Sequence, residues 1–204
     1  MRHIITLVER YTQLAPTKEA IQEAVSTICE MYKRGGKLLL CGNGGSCADC
    51  EHISGELLKG FLSKRPVSQE HFPKGTLDDD TISKLQKGIG AIPLPSLSAL
   101  VTAFSNDVDS SLTFAQLVLA LGQSNDVFLG ISTSGNAVNV AKAAKVAKAM
   151  GIRTIGLTGE SGGTLKEICD VCICVPEKET FKVQELHLPV YHAICAQCEE
   201  LCFQ

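Results

Sequence analysis

The chain has 204 residues, 45% hydrophobic and 20% charged, with a formal net charge of -3 at pH 7. That length and mixture suit one globular domain with a small helical extension and exclude a disordered chain. The slight acidity leaves no basic footprint for nucleic acid, and no run of eighteen apolar residues exists to span a membrane.

Residues 3–14 and 17–33 read as helices, the second carrying Ile21, Val25, Ile28 and Met31 at three-and-four spacing and ending at Gly35-Gly36. Arg2, Glu9 and Arg10 interrupt any signal-peptide core, so the expected location is the cytoplasm. Two leading helices with apolar faces are expected to pack against another subunit, because a small sheet offers them little cover.

Lys37-Leu38-Leu39-Leu40-Cys41 is a short apolar run of the buried, parallel-strand type. It enters Gly42-Asn43-Gly44-Gly45-Ser46, and a helical pattern follows. Residues 63–88, with Pro66, Pro73, Gly75 and Asp78-Asp79-Asp80, read as a surface insertion. It contains a helix over 80–87, capped by Asp78 or Asp79. A short strand is expected over 90–94. The strand-loop-helix unit then recurs: strand 126–131, loop Ser132-Thr133-Ser134-Gly135-Asn136, helix 137–150. Strand 153–157, a short helix 164–168, strand 171–175 and a closing helix 181–201 complete the chain. Pro189 is expected to kink that last helix, since it removes the bond to the Glu185 carbonyl. Alternating strands and helices predict an α/β fold, a doubly wound parallel sheet covered on both faces.

Ten cysteines include three C-x-x-C pairs, 47/50, 169/172 and 195/198. Two such pairs could supply a structural zinc site. The stronger reading is packing: Cys172 and Cys174 alternate as in a strand, and Cys195, Cys198 and Cys202 follow helical spacing.

Both glycine- and serine-rich loops follow strands and precede helices, so both lie at the carboxyl edge of the sheet, where ligands bind. Helix N-termini offer unpaired N–H groups and a positive dipole end, and Ser and Thr add hydroxyls. A phosphate fits there without a lysine. Neither loop has the nucleotide P-loop pattern, and the first does not match the dinucleotide fingerprint. His52 and Glu56 share a face of the helix after the first loop, and Gln184 and His192 point to similar sides of the last helix. Beside a phosphate, Glu56 suits a base and His192 its acid/base partner for moving a proton between adjacent carbons through an enediol. Alternatively, His52, Glu56, Gln184 and His192 could bind a metal such as zinc.

Cys-Gly-Asn-Gly-Gly-Ser (41–46), His52-x-x-x-Glu56, Ala-Phe-Ser-Asn-Asp (103–107), Gly-Ile-Ser-Thr-Ser-Gly-Asn (130–136), Leu-Thr-Gly (157–159) and Gln-Glu-Leu-His-x-x-x-x-His (184–192) stand in the order of the phosphoheptose isomerase family, of the sugar isomerase (SIS) class, and the chain resembles that family. The resemblance implies a flavodoxin-like sheet over residues 35–204, with helices 1–34 building a homotetramer. It implies conversion of sedoheptulose 7-phosphate to a glycero-manno-heptose 7-phosphate. It implies substrate contacts at Asn43, Gly44, Gly45, Ser46, Glu56, Asn106, Asp107, Ser132, Thr133, Ser134 and Gln184. It implies zinc on His52, Glu56, Gln184 and His192, with Glu56 and His192 as the acid/base pair. Ala137, Cys47 and Gly60 stand where the family usually has Ser, His and Arg, with Lys59 beside Gly60, and the 63–88 stretch is longer than usual. These departures surround the sugar and phosphate and bear on substrate more than on reaction class. Three rivals are a non-catalytic relative that binds a replication initiator, a regulatory sugar-phosphate sensor, and an isomerase whose altered pocket serves a hexose or pentose phosphate. The first lacks the Glu and final His that are present here; the second would want a fused DNA-binding domain.

Overall fold

The structure is a computed structural model and describes residues 1–203. Five strands, β1 (Leu38–Gly42), β2 (Ala91–Pro93), β3 (Val127–Ser132), β4 (Arg153–Thr158) and β5 (Val171–Cys174), form one wholly parallel sheet in the order β2-β1-β3-β4-β5. This is the doubly wound, flavodoxin-like order, and it reverses between β1 and β3. Leu38 and Leu40 of β1 join the core on one face, and Leu39 and Cys41 join the core on the other. That period-two split explains why the strand reads as a continuous apolar run.

One face is covered by α1 (Arg2–Arg10), α2 (Lys18–Lys33), α3 (Gly45–Leu58) and α9 (Thr180–Phe203). Between α3 and α9 in the chain come α4 (Asp79–Lys84), α5 (Ser98–Phe104), α6 (Thr113–Leu121), α7 (Val138–Ala149) and α8 (Gly163–Ile168). Residues of α6, α7 and α8 fill the second core. The first leading helix is shorter than its pattern: it stops at Arg10 and passes into a 3-10 turn over Thr12–Thr17, where Pro16 has no N–H to continue it. Helices α5 and α6 fall in a stretch whose apolar residues show no one-sided pattern, and the sequence reading assigned nothing there. The insertion helix stops at Lys84, with Asp78 accepting from the Thr81 N–H at 2.8 Å. Beyond it the chain straightens to pair Gln86 with Pro66. The last helix runs through Pro189 from Thr180 to Phe203 as one element.

The apolar faces of the leading helices find cover within the chain. Ile4, Leu7, Leu14, Ile21, Val25 and Ile28 are buried within the chain, in the same core as Val190, Ile194 and Cys198 of α9. The long closing helix supplies the surface that the small sheet lacks. The cysteines behave as packing residues: Cys29, Cys41, Cys50, Cys195 and Cys198 are buried and free.

A buried ion pair ties α3 to α9. Arg65 Nε donates to Glu199 Oε1 at 2.8 Å, and both side chains are almost wholly buried. The Glu199 carboxylate also accepts the backbone N–H groups of Phe61, Leu62 and Ser63 at 2.8, 2.8 and 3.0 Å. Arg65 donates its remaining N–H groups to the carbonyls of Leu57 (2.7 Å) and Glu56 (3.3 Å), in the last turn of α3, and its guanidinium lies over the Phe203 ring at 4.7 Å. Burial alone would raise the Glu199 pKa; the N–H groups of Phe61 and Leu62, then Arg65, overcome it and hold the carboxyl below its ordinary value. Arg65→Ala is expected to lose about 3–5 kcal/mol of stability in urea denaturation, because it strands a buried carboxylate. The paired replacement Arg65→Met with Glu199→Leu strands no charge but leaves the Phe61, Leu62 and Ser63 N–H groups without their acceptor, so it is expected to lose stability as well.

Candidate active site

The carboxyl ends of β1 and β3 open into the two loops, one on each side of the point where the strand order reverses. In the first, Gly44 takes φ +56, a conformation that favours glycine, and caps α3. A side chain at Gly42 would meet Ser46 at 2.7 Å, so the chain can turn this tightly into the helix only with glycine there. In the second, Gly135 (φ +69) backs onto Gly162, and Asn136 accepts from the Thr164 N–H at 3.0 Å. The loops are clasped by a reciprocal amide pair: Asn43 Nδ2 donates to Asn139 Oδ1, and Asn139 Nδ2 to Asn43 Oδ1, both at 2.9 Å.

Between them lies a cavity of about 340 Å³. It is lined by Asn43, Gly44, Gly45, Ser46, Ser132, Thr133, Ser134 and Gln184, together with Ala137 and Thr180. Eight of the expected substrate contacts therefore meet in one place. No lysine or arginine lines it. Donors available to an anion are hydroxyls, amides and the backbone at the starts of α3 and α7. Thr180 was missed by sequence reasoning, although a threonine opening a helix beside the Gln184 motif is a usable signal. Gln184 reaches the first loop from α9, and a methyl group at Gly45 would stand 2.4 Å from its Nε2.

Farther along the same two helices a second cluster forms. His52 Nε2 is 3.3 Å from Glu56 Oε1 and 3.3 Å from His192 Nε2. Behind His52, Tyr191 Oη lies 3.0 Å from its Nδ1 and donates to Asp49 Oδ1 at 3.2 Å. Lys59 Nζ approaches the other Glu56 oxygen at 3.4 Å, so the lysine beside Gly60 does reach the site acid. Burial, then neighbouring His52, push the His192 pKa below its ordinary value against the pull of Glu56, which keeps the ring neutral at pH 7. Burial raises Asp49, opposed by its Tyr191 bond and by His52. Burial and then Asp49 raise Tyr191, so the phenol keeps its proton. His187 of the Gln184–His192 motif is fully buried, which lowers its pKa to about 4 and leaves it neutral.

Asn106 and Asp107 line neither the cavity nor this cluster; they sit exposed on a π-helical turn, Ser105–Asp109, bonded to each other. Of the four expected metal ligands, three adjoin one another and Gln184 stands over the cavity. His52 touches both of the others, whereas Glu56 and His192 form no ion pair. Among the described residues, no three His, Cys, Asp or Glu side chains are arranged as a metal site. No helix among them is long and apolar enough to cross a membrane.

The chain matches the SIS domain family over residues 3–87 and again over 98–199. It is 41% identical to phosphoheptose isomerase 2 of Campylobacter jejuni, over 90% of this chain and 81% of that one. It is 40% identical to the phosphoheptose isomerase of Roseiflexus sp. strain RS-1, over 93% of this chain and 84% of that one. Among solved structures, a phosphoheptose isomerase from Francisella tularensis superposes with a TM-score of 0.78 at 29% identity, covering 94% of this chain and 91% of the other.

Gly45→Ala forces Gln184 out of the cavity. Titration calorimetry with inorganic phosphate should show binding weakened by about tenfold, or about 1.4 kcal/mol, with the unfolding midpoint little changed.

Proposed function

The chain belongs to the phosphoheptose isomerase family of SIS-domain proteins, a sugar-phosphate aldose–ketose isomerase, and from that membership we propose that it converts sedoheptulose 7-phosphate to D-glycero-D-manno-heptose 7-phosphate through an enediol. The observation that carries this reading is the convergence of Glu56 and His192, from two different helices, on the ring of His52.

The phosphate is held between the two loops by Asn43, Gly44, Gly45, Ser46, Ser132, Thr133 and Ser134. Glu56 takes a proton from C1 of the ketose, giving the enediol, and returns it to C2. His192, neutral at pH 7, donates a proton to O2 and receives one from O1, so the protons balance. The Glu56 side chain is only 17% exposed, so it meets a bound substrate with little water about it.

Spacing along the helices supports a seven-carbon substrate. Gln184 meets α3 at Gly45 and His192 meets it at His52, so α3 and α9 run side by side in one direction. Seven residues separate Gly45 from His52, about 10 Å of helix. An extended chain advances about 1.2 Å per bond, one third of the reach of a three-bond peptide unit. The roughly eight bonds from C1 to phosphorus in a heptose 7-phosphate then span about 10 Å, and the roughly six of a pentose 5-phosphate about 7 Å.

Zinc fits the chemistry of the donor set. Two imidazoles and a carboxylate are zinc ligands, and His52 lies 3.3 Å from both Glu56 and His192. His52, Glu56 and His192, which adjoin one another, would hold it, and Gln184, the fourth expected ligand, stands instead over the anion cavity. When bound, the metal polarises the substrate carbonyl and stabilises the enediolate. We further propose a homotetramer, with Asn106 and Asp107 serving a site only through that assembly. An open groove of about 430 Å³ lined by His3, Tyr11, Leu62, Leu188 and His192 is where a neighbouring chain would bear on the site.

Glu56→Gln is expected to lower kcat by about 10²–10⁴-fold while the protein stays folded and still binds sugar phosphate; unchanged turnover would remove Glu56 from the mechanism. Elemental analysis of purified protein should find about one zinc per chain, and much less after His52→Ala. Retention of full zinc by that variant would move the metal elsewhere.

A further inference from the structure

His52 stands between Glu56 and His192, and its usefulness there depends on which ring nitrogen carries the hydrogen. A neutral imidazole has one donor and one acceptor nitrogen, and the partner of one sets the role of the other. The partner of Nδ1 is the Tyr191 hydroxyl at 3.0 Å. That hydroxyl has one proton to give and two possible recipients: His52 Nδ1 and, at 3.2 Å, Asp49 Oδ1.

The carboxylate has the stronger claim. Asp49 Oδ2 is buried with no hydrogen-bond partner, so the Tyr191 proton is the one side-chain donor that serves this carboxyl among the described residues. Turned toward His52, the hydroxyl would leave a buried carboxylate with no donor, and its own lone pairs would face Oδ1; a stranded buried charge costs several kcal/mol. With its proton on Asp49, Tyr191 oxygen can only accept from His52. The hydrogen then lies on Nδ1 and Nε2 is bare. Tyr191 has little freedom to do otherwise: it is 2% exposed, and its ring meets those of His52 and His192 edge-on at 5.4 and 5.1 Å.

We propose that Asp49 and Tyr191 are positioning residues that fix His52 as its Nδ1–H tautomer and so aim an unprotonated Nε2 at Glu56 and His192. Nε2 stands 3.3 Å from Glu56 Oε1 and 3.3 Å from His192 Nε2, so a ring hydrogen on Nε2 is the competing arrangement that nitrogen-15 NMR must exclude. The inference deepens the zinc reading above and rests on it for function, though not for the tautomer. Neither residue touches the substrate; each acts through His52. The signal in the sequence was slight: Asp49 lies three residues before His52 on one helix face, and Tyr191 is next to His192.

The test is nitrogen-15 NMR of the histidine rings in metal-free protein, together with zinc titration and kinetics of Tyr191→Phe, which keeps the ring and removes the hydroxyl. Wild-type His52 should carry its hydrogen on Nδ1, and Tyr191→Phe should shift it to Nε2 or to a mixture. Zinc affinity of the variant should fall by about 10–100-fold, the usual loss when a ligand's supporting hydrogen bond is removed. Its kcat should fall with KM unchanged, and Asp49→Asn should move both readouts the same way. A wild-type His52 protonated on Nε2, or a Tyr191→Phe variant with unaltered zinc affinity and tautomer, overturns the proposal. Should wild-type protein take up no zinc, the metal reading fails on its own, and the ring spectra still decide the relay.

Discussion

The site depends on the buried pairing of Arg65 with Glu199. Glu56 is two residues from the end of α3, where a helix has unsatisfied carbonyls and tends to fray. Arg65 answers that weakness with a cation: its guanidinium caps the carbonyls of Leu57 and Glu56 while its Nε holds Glu199. Glu199 in turn gathers three consecutive N–H groups of the loop that leaves α3. A charge pair this deep would be a poor bargain without so many hydrogen bonds. What it secures is geometric. The helix that carries Glu56 and the helix that carries His192 are fixed together at the Glu56 and Leu57 carbonyls of α3 and about two turns past His192 on α9.

At the other end of the same two helices, Gln184 closes over Gly45 and the clasp of Asn43 with Asn139 joins the two loops. The helices are thus tied at both ends, with the cavity at one and the His52 cluster between the ties. Holding acid, base and anion site on rigid elements matters because an error of about 1 Å in such a reaction costs on the order of a hundredfold in rate. Lys59 reaches Glu56 by a flexible stem, and Ala137 lines the cavity without a hydroxyl.

The parallel sheet and both loops were legible because each rests on a local pattern: apolar runs ended by glycine. Helices α5 and α6 were not, since a segment such as Thr113–Leu121 is apolar on most sides and shows no face. The cover that α9 gives α1 and α2 was not legible for a related reason. Sequence shows that a face is apolar but not what covers it, and here the cover, α9, comes about 150 residues later. The contacts of Tyr191, Arg65 and Glu199 are long-range too. A buried tyrosine beside a histidine, or an arginine before a proline, has no signature of its own; only the fold brings Asp49, 142 residues away, to Tyr191.

The cavity has a physical character that its composition sets. A phosphate dianion placed there meets neutral donors and helix N-termini instead of lysine or arginine. Each such dipole interaction is modest, from a few tenths to about 2 kcal/mol where partly buried, so affinity comes from several acting together in a fixed array. That arrangement suits an enzyme whose substrate and product share the same phosphate. Tight ionic binding would hold both equally and add nothing to the rate of the step between them. Differential stabilisation has to come from the other end of the molecule, about 10 Å along α3. There Glu56, His192 and His52 adjoin one another. The division between a neutral anchor and a charged, titratable reaction centre follows from where the two loops and the two helices place these residues.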